Sequence, residues 1–257
     1  MDKAKFQNFI DGHALVVGGT GAIGEATVLE YAEQEGIKAI TITYWSNQAK
    51  ALELQKLVEA KGIKFYAAKV DLLDSPAFCE FMEAAVAATG YEINAYANTS
   101  GISPNPPLAS LTPEDFRKVF DVNVIAPTLN TRDVMARAAE KGVEFAGALT
   151  TSTNGLSLGS WASFSVPYDQ SKAALIPTIE CLDKEYAERG LRLNGVAPGW
   201  VNSPMNHDVP GYEAEVQRIW RKRDLDVREV SRMIVLLTSR ASSGIHGVNL
   251  KVDGGYN

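Results

Sequence analysis

The sequence predicts a doubly wound α/β fold, a mostly parallel seven-stranded sheet with helices on both faces. Short apolar segments of strand composition alternate with longer helical ones from end to end. The first apolar segment runs straight into a glycine-rich turn that opens a helix. A chain of 257 residues, 46% of them hydrophobic, can bury one large core, so residues 1–257 are read as a single domain.

In chain order the strand candidates are 13–18, 39–44, 64–70, 93–98, 144–151, 191–198 and 249–255. Each is a short apolar run bounded by turn or polar residues, as strands buried on both faces require. Between them, 23–35, 47–61, 75–89, 112–141, 168–189 and 226–239 have helical composition or periodicity. Thr112-Pro113-Glu114-Asp115 punctuates one start, with a capping hydroxyl, a proline at the first helical position and early acids that suit the helix dipole. Strand and helix in alternation imply βαβ crossovers and a parallel sheet covered on both faces. Pro104-Asn105-Pro106-Pro107 reads as a loop, too short to divide domains.

A net charge of -6 gives no electrostatic footprint for nucleic acid or an anionic membrane. Cys79 and Cys181 form no C-x-x-C pair, and His13, His207 and His246 have no ligand spacing, so neither a disulfide nor a metal is expected. The first residues carry no long apolar region and no later run approaches a membrane span, which predicts a cytoplasmic protein.

After the first strand comes Gly18-Gly19-Thr20-Gly21-Ala22-Ile23-Gly24. Gly19, Gly21 and Gly24 satisfy G-x-G-x-x-G in the strand-turn-helix context of a Rossmann-type dinucleotide site. Glycines permit a tight turn and close backbone approach, and the N–H groups opening the next helix can hold a pyrophosphate. Glu25, at the start of that helix, must turn away from such a ligand. An acid that would bind the ribose of NAD is absent: Gly36 to Leu52 contains no Asp or Glu, and the second strand runs from Tyr44 through Trp45 into Ser46 and Asn47. Those small polar groups, with Lys50 nearby, accommodate a 2′-phosphate that an acid would repel. NADP(H) is therefore the expected nucleotide, with NAD(H) the disfavoured alternative.

Tyr168 and Lys172 stand four apart in a predicted helix, which puts the ammonium beside the phenol on one face. A tyrosine ordinarily titrates near pH 10. A neighbouring cation favours phenolate, so the spacing predicts a hydroxyl that exchanges its proton closer to neutral pH.

Together these residues resemble the short-chain dehydrogenase/reductase family, in its classical branch, over essentially the whole chain. Asp71, followed by Leu72, resembles the family's acid near the adenine. Asn98-Thr99-Ser100-Gly101 resembles its Asn-Asn-Ala-Gly segment, and Asn123 its helix asparagine. Ser152 matches its catalytic serine, and Tyr168 and Lys172 its Tyr-x-x-x-Lys pair. Pro198-Gly199-Trp200, continuing through Val201 to Ser203, resembles the nicotinamide-flanking motif, and Val252-Asp253-Gly254-Gly255 the closing strand.

Departures are visible. Val17 and Ala22 replace the usual threonine and middle glycine, and Gly18, Gly21 and Gly24 fit the spacing of the extended branch, whose larger C-terminal substrate region is not expected in 257 residues. The interval from Ser152 to Tyr168 is longer than usual. Thr151, Thr153 and Ser165 also offer hydroxyls, but Gly155 aligns with the glycine that follows the family's serine.

The resemblance implies hydride transfer between a nicotinamide and a carbonyl or secondary alcohol, with Tyr168 as general acid/base and Ser152 on the same oxygen. Lys172 would hold the nicotinamide ribose, and Asn123 a water that connects the lysine to solvent. The chain is similar to members such as the 3-oxoacyl-carrier-protein reductases, and the resemblance implies a homo-oligomer, tetramer or dimer. Leu156, Trp161, Phe164, Trp200, Met205 and His207 are candidates for the substrate wall. Arg218, Arg221, Lys222 and Arg223 around Trp220 read as a solvated helix face or a lid for an anionic group. Two other functions fit the sequence less well: a nucleotide-binding sensor or structural subunit without turnover, and a lyase or epimerase that transfers hydride transiently.

Overall fold

The computed structural model describes residues 9, 11–104, 106–156, 165–207 and 209–256. Seven strands form one sheet: β1 (Gly12–Val17), β2 (Ile37–Tyr44), β3 (Lys64–Lys69), β4 (Ala95–Asn98), β5 (Phe145–Thr150), β6 (Leu191–Pro198) and β7 (Asn249–Val252), in the order β3-β2-β1-β4-β5-β6-β7. Every pairing is parallel, where a mostly parallel sheet was expected. All residues of β1, β5 and β6 are buried, which is why these segments read as continuous rather than alternating apolar runs. Strand order reverses between β1 and β4, where Val17 lies opposite Asn98, and a crevice opens beyond their carboxyl ends.

The helices are α1 (Ala22–Tyr31), α2 (Gln48–Glu59), α3 (Ser75–Thr89), α4 (Pro113–Phe120), α5 (Ala126–Lys141), α6 (Val166–Tyr186), α7 (Pro204–His207), α8 (Tyr212–Arg218) and α9 (Val227–Thr238). Val28, Leu54 and Val235 from α1, α2 and α9 pack with Ile40 and Ile42 on one face of the sheet. Phe78, Met135 and Leu175 from α3, α5 and α6 pack with Tyr96 and Phe145 on the other.

One long helix expected over 112–141 is two. Its start is as predicted: Thr112 Oγ1 accepts the Asp115 N–H, and the Asp115 carboxylate accepts the Thr112 N–H, at 3.3 and 2.9 Å. A π turn, Asp121–Ile125, then separates α4 from α5. Pro127 supplies the reason, because it has no N–H to return to the carbonyl of Asn123 one turn earlier.

At the opposite, amino end of the strands two buried polar side chains tie elements together. Arg192, near the start of β6, donates to the carbonyls of Leu237, Ser239, Ser242 and Ile245 at the end of α9 and beyond. His13 donates from Nδ1 to the Tyr91 carbonyl and accepts at Nε2 from Thr41, both at 2.8 Å, and burial lowers its pKa to about 4.

Candidate active site

The glycine turn is pinned to β2 by its own backbone: the N–H of Gly18 donates to Thr43 Oγ1 and that of Gly19 to the Thr43 carbonyl, each at 3.0 Å. Gly24 lies so close beneath the turn that a Cβ there would fall 2.2 Å from the Gly18 carbonyl oxygen. Helix α1 starts at Gly21 without a side-chain cap, leaving its opening N–H groups for a ligand. These features fit a dinucleotide pyrophosphate. Glu25 turns toward α2, where its carboxylate meets the Lys50 ammonium at 3.2 Å, which removes the conflict expected from its position.

Beyond Tyr44, Ser46 and Asn47 are exposed, and Asn47 Oδ1 accepts the Lys50 N–H to cap α2. Lys50 itself lies between Glu25 and Glu53, so its charge is shared rather than offered to a phosphate. Another cation is at hand: Lys69, at the end of β3, sits 4.8 Å over the ring of Trp45, which is 61% exposed. Asp71 is exposed beside half-buried Leu72, and its Oδ1 accepts the Leu73 N–H.

At the end of β4, Asn98 Oδ1 accepts both the N–H and the hydroxyl of Ser100 and so shapes the turn toward Gly101. Gly101 is flanked by Asn123 Oδ1 and Lys172 Nζ, each 3.4 Å from where a Cβ would stand. Asn123 is fully buried behind the cleft. Its side chain accepts from the Ile102 N–H and donates to the Ile102 carbonyl and Ser171 Oγ, so it braces the chain after β4 rather than reaching a ligand.

Ser152, Tyr168 and Lys172 do come together. Their side chains line one cavity, with the Ser152 hydroxyl near enough to the Tyr168 hydroxyl to favour its ionised form. The competing hydroxyls of Thr151 and Ser165 are engaged elsewhere, on Val196 and Asn249 and on Asp169 respectively. Lys172 is buried, donates to the Thr150 carbonyl at 2.9 Å and lies 5.8 Å from the centroid of the Tyr168 ring. Burial lowers its pKa to about 8.

The tyrosine shifts opposite to expectation. Burial pushes Tyr168 up to about 12, the Ser152 hydroxyl offsets part of that, and the neighbouring Asp169 charge adds to it. Lys172 stands over the ring rather than at the hydroxyl, so in the protein alone desolvation outweighs it.

These groups line a cavity of about 320 Å³. Of the residues predicted for the site, Ile23, Ser100, Gly101, Ser152, Tyr168, Lys172 and the stretch Pro198 to Val201 with Ser203 lie on its wall. Met205 does too. Leu156 and His207 do not; the His207 ring packs against Tyr212 and bonds Asn202. Trp161 and Phe164 lie outside the described residues.

Sequence reading missed Thr150, Asn154 and Glu215 on the wall, and reached Arg218 only in its alternative of a lid for an anionic group. The last two arrive on α8, a helix of seven residues, too short to announce itself by periodicity. Arg218 borders the cavity while its side chain stays exposed and pairs with Glu215, whereas Arg221 and Arg223 pair with Glu229 and Trp220 is 72% exposed. Among the described residues no group of three or more His, Cys, Asp or Glu side chains could hold a metal ion. No helix among them is long and apolar enough to cross a membrane.

Comparison with known proteins identifies the family. Residues 18–257 match the model of a family described as enoyl-(acyl carrier protein) reductase. The chain belongs to the short-chain dehydrogenase/reductase family. An uncharacterized oxidoreductase of Escherichia coli is 31% identical over 94% of this chain and 98% of its own length. A glucose 1-dehydrogenase of Gluconobacter oxydans is 29% identical, covering 94% of this chain and 90% of that protein. Among solved structures, a dehydrogenase/reductase from Sinorhizobium meliloti superposes with a TM-score of 0.85 at 26% identity, over 97% of this chain and 96% of that one. As a family member the chain is an NAD(P)-dependent oxidoreductase, and the Rossmann-type sheet is the family's fold.

Proposed function

We propose that the chain interconverts a small-molecule ketone and a secondary alcohol, with NADP(H) as its nucleotide and Tyr168 as general acid/base. The observation that carries this is the meeting of Ser152, Tyr168 and Lys172 on one cavity wall. When bound, the nicotinamide supplies or accepts the hydride. Tyr168 is fully protonated at neutral pH, with a hydroxyl pKa of about 12, and stands ready to give its proton to a carbonyl oxygen. Ser152 orients that oxygen and stabilises charge developing on it. Lys172, with a pKa of about 8, is still cationic at pH 7 and stabilises the phenolate left behind.

Preference for the phosphorylated nucleotide is supported by the absence of an acid at the end of β2 and by the Lys69 ammonium over Trp45. Purified protein mixed with a panel of ketones should oxidise NADPH faster than NADH, and titration should give the tighter binding for NADPH. Tyr168→Phe should lower turnover by about 10²- to 10⁴-fold, the usual worth of a general acid, while nucleotide binding persists. Undiminished turnover in that variant would remove Tyr168 from its role, and nucleotide binding without turnover on any ketone would favour a sensor.

A further inference from the structure

We propose that Asp169 is a positioning residue that holds the Ser152 and Tyr168 hydroxyls in register across the long segment between them. It follows Tyr168 directly in the first turn of α6, and its side chain is buried. One carboxylate oxygen accepts the Asn154 side-chain amide at 2.6 Å, and the other accepts the Ser165 hydroxyl at 2.7 Å. Asn154 and Ser165 lie near the two ends of the interval from Ser152 to Tyr168. Asn154 in turn donates its backbone N–H to Ser152 Oγ at 3.2 Å. A single carboxylate thus ties the turn that carries Ser152 to the start of the helix that carries Tyr168.

Close packing supports the same join. A Cβ at Gly155 would lie 2.8 Å from the backbone of Lys172 and Ala173, so the turn after Ser152 rests directly on α6. The carboxylate gains no ion pair for its burial: among the described residues both its oxygens are held by neutral donors, and burial raises its pKa. A buried charge held by neutral groups adds geometry at some expense of stability. Its ionised form also disfavours phenolate at Tyr168, after burial and against the Ser152 hydroxyl. Other charges around the cleft are Lys172 on α6 and the Glu215 and Arg218 pair on α8.

The proposal rests on the proton-transfer role given above to Tyr168 and Ser152, so Tyr168→Phe is run beside it. Turnover is normalised to nucleotide-binding sites, which removes any loss due to unfolded protein. Asp169→Ala should lower kcat by about 10- to 100-fold, the effect of a misplaced catalytic group, with little change in nucleotide affinity. Asp169→Asn keeps an acceptor for Asn154 and a partner for Ser165, so it should restore kcat to within a few-fold. With the charge gone in both variants, the ionisation of Tyr168 should move to lower pH in each, so recovery of kcat by asparagine and not by alanine reads the positioning apart from the charge. Wild-type kcat in Asp169→Ala, with Tyr168→Phe inactive, overturns the brace alone; an active Tyr168→Phe overturns the reading of the site. Should Asp169→Ala fail to fold, Asn154→Ala removes one arm and carries the same expected loss and the same refutation.

Discussion

Lys172→Met should stabilise the nucleotide-free protein while abolishing turnover. The ammonium is buried, and its described hydrogen bond goes to the Thr150 carbonyl. Its pKa falls from 10.5 to about 8 through desolvation, which corresponds to about 3 kcal/mol against the charged form in the fold. The bond to Thr150 returns about 1 kcal/mol, so methionine, similar in length and apolar, should gain about 2 kcal/mol at pH 7. The sign follows from linkage. Below pH 8 both folded and unfolded chains hold the lysine proton and the fold bears the full cost. Between pH 8 and 10.5 the folded state has released it while the unfolded state has not, so stability rises with pH. Wild type should therefore recover about 2 kcal/mol from pH 7 to 9.5, and the advantage of the variant should shrink by the same amount. Urea unfolding of both proteins at the two pH values measures it. A variant less stable than wild type at pH 7, or a difference that does not move with pH, would refute the reasoning.

Other consequences are direct. Gly24→Ala places a carbon 2.2 Å from the Gly18 carbonyl oxygen and 2.9 Å from Gly19 Cα; the turn must open, and nucleotide affinity measured by titration should fall at least tenfold, unchanged affinity arguing against the site. His13, with its pKa lowered to about 4, stays neutral in the fold while the unfolded chain takes up a proton below pH 6.5. Stability should accordingly drop by about 2 kcal/mol between pH 7 and 5, and His13→Gln should flatten that slope; equal slopes in the two proteins would exclude His13 as the cause.

Most of the architecture was legible because parallel strands buried on both faces leave unmistakable apolar runs, as in Leu15-Val16-Val17 and Ile40 to Tyr44. The split at Asp121–Ile125 was legible too, had Pro127 been weighed against its i−4 carbonyl. Site residues were found where glycine or the Tyr-Lys spacing marks them. Asp169 escaped because its importance lies in two partners, Asn154 and Ser165, that only folding brings to it. Asn123 was expected to hold a water that connects Lys172 to solvent, and its side chain is engaged by the Ile102 backbone and Ser171 one layer behind the cleft. Tyr168 shifted the other way because spacing reports the nearby cation and not the loss of water around the ring.

All seven strands point one way, so the molecule has two poles with separate vulnerabilities. The guanidinium of Arg192 is satisfied by four carbonyls at the pole opposite the cleft, and a lysine there could not reproduce that fork. Lesions at Arg192 or His13 should reduce how much protein survives in a cell and leave each surviving molecule as fast as before. Lesions around Tyr168 should do the reverse. Abundance and specific activity, measured together across a set of variants, would sort the chain's positions by pole without reference to coordinates.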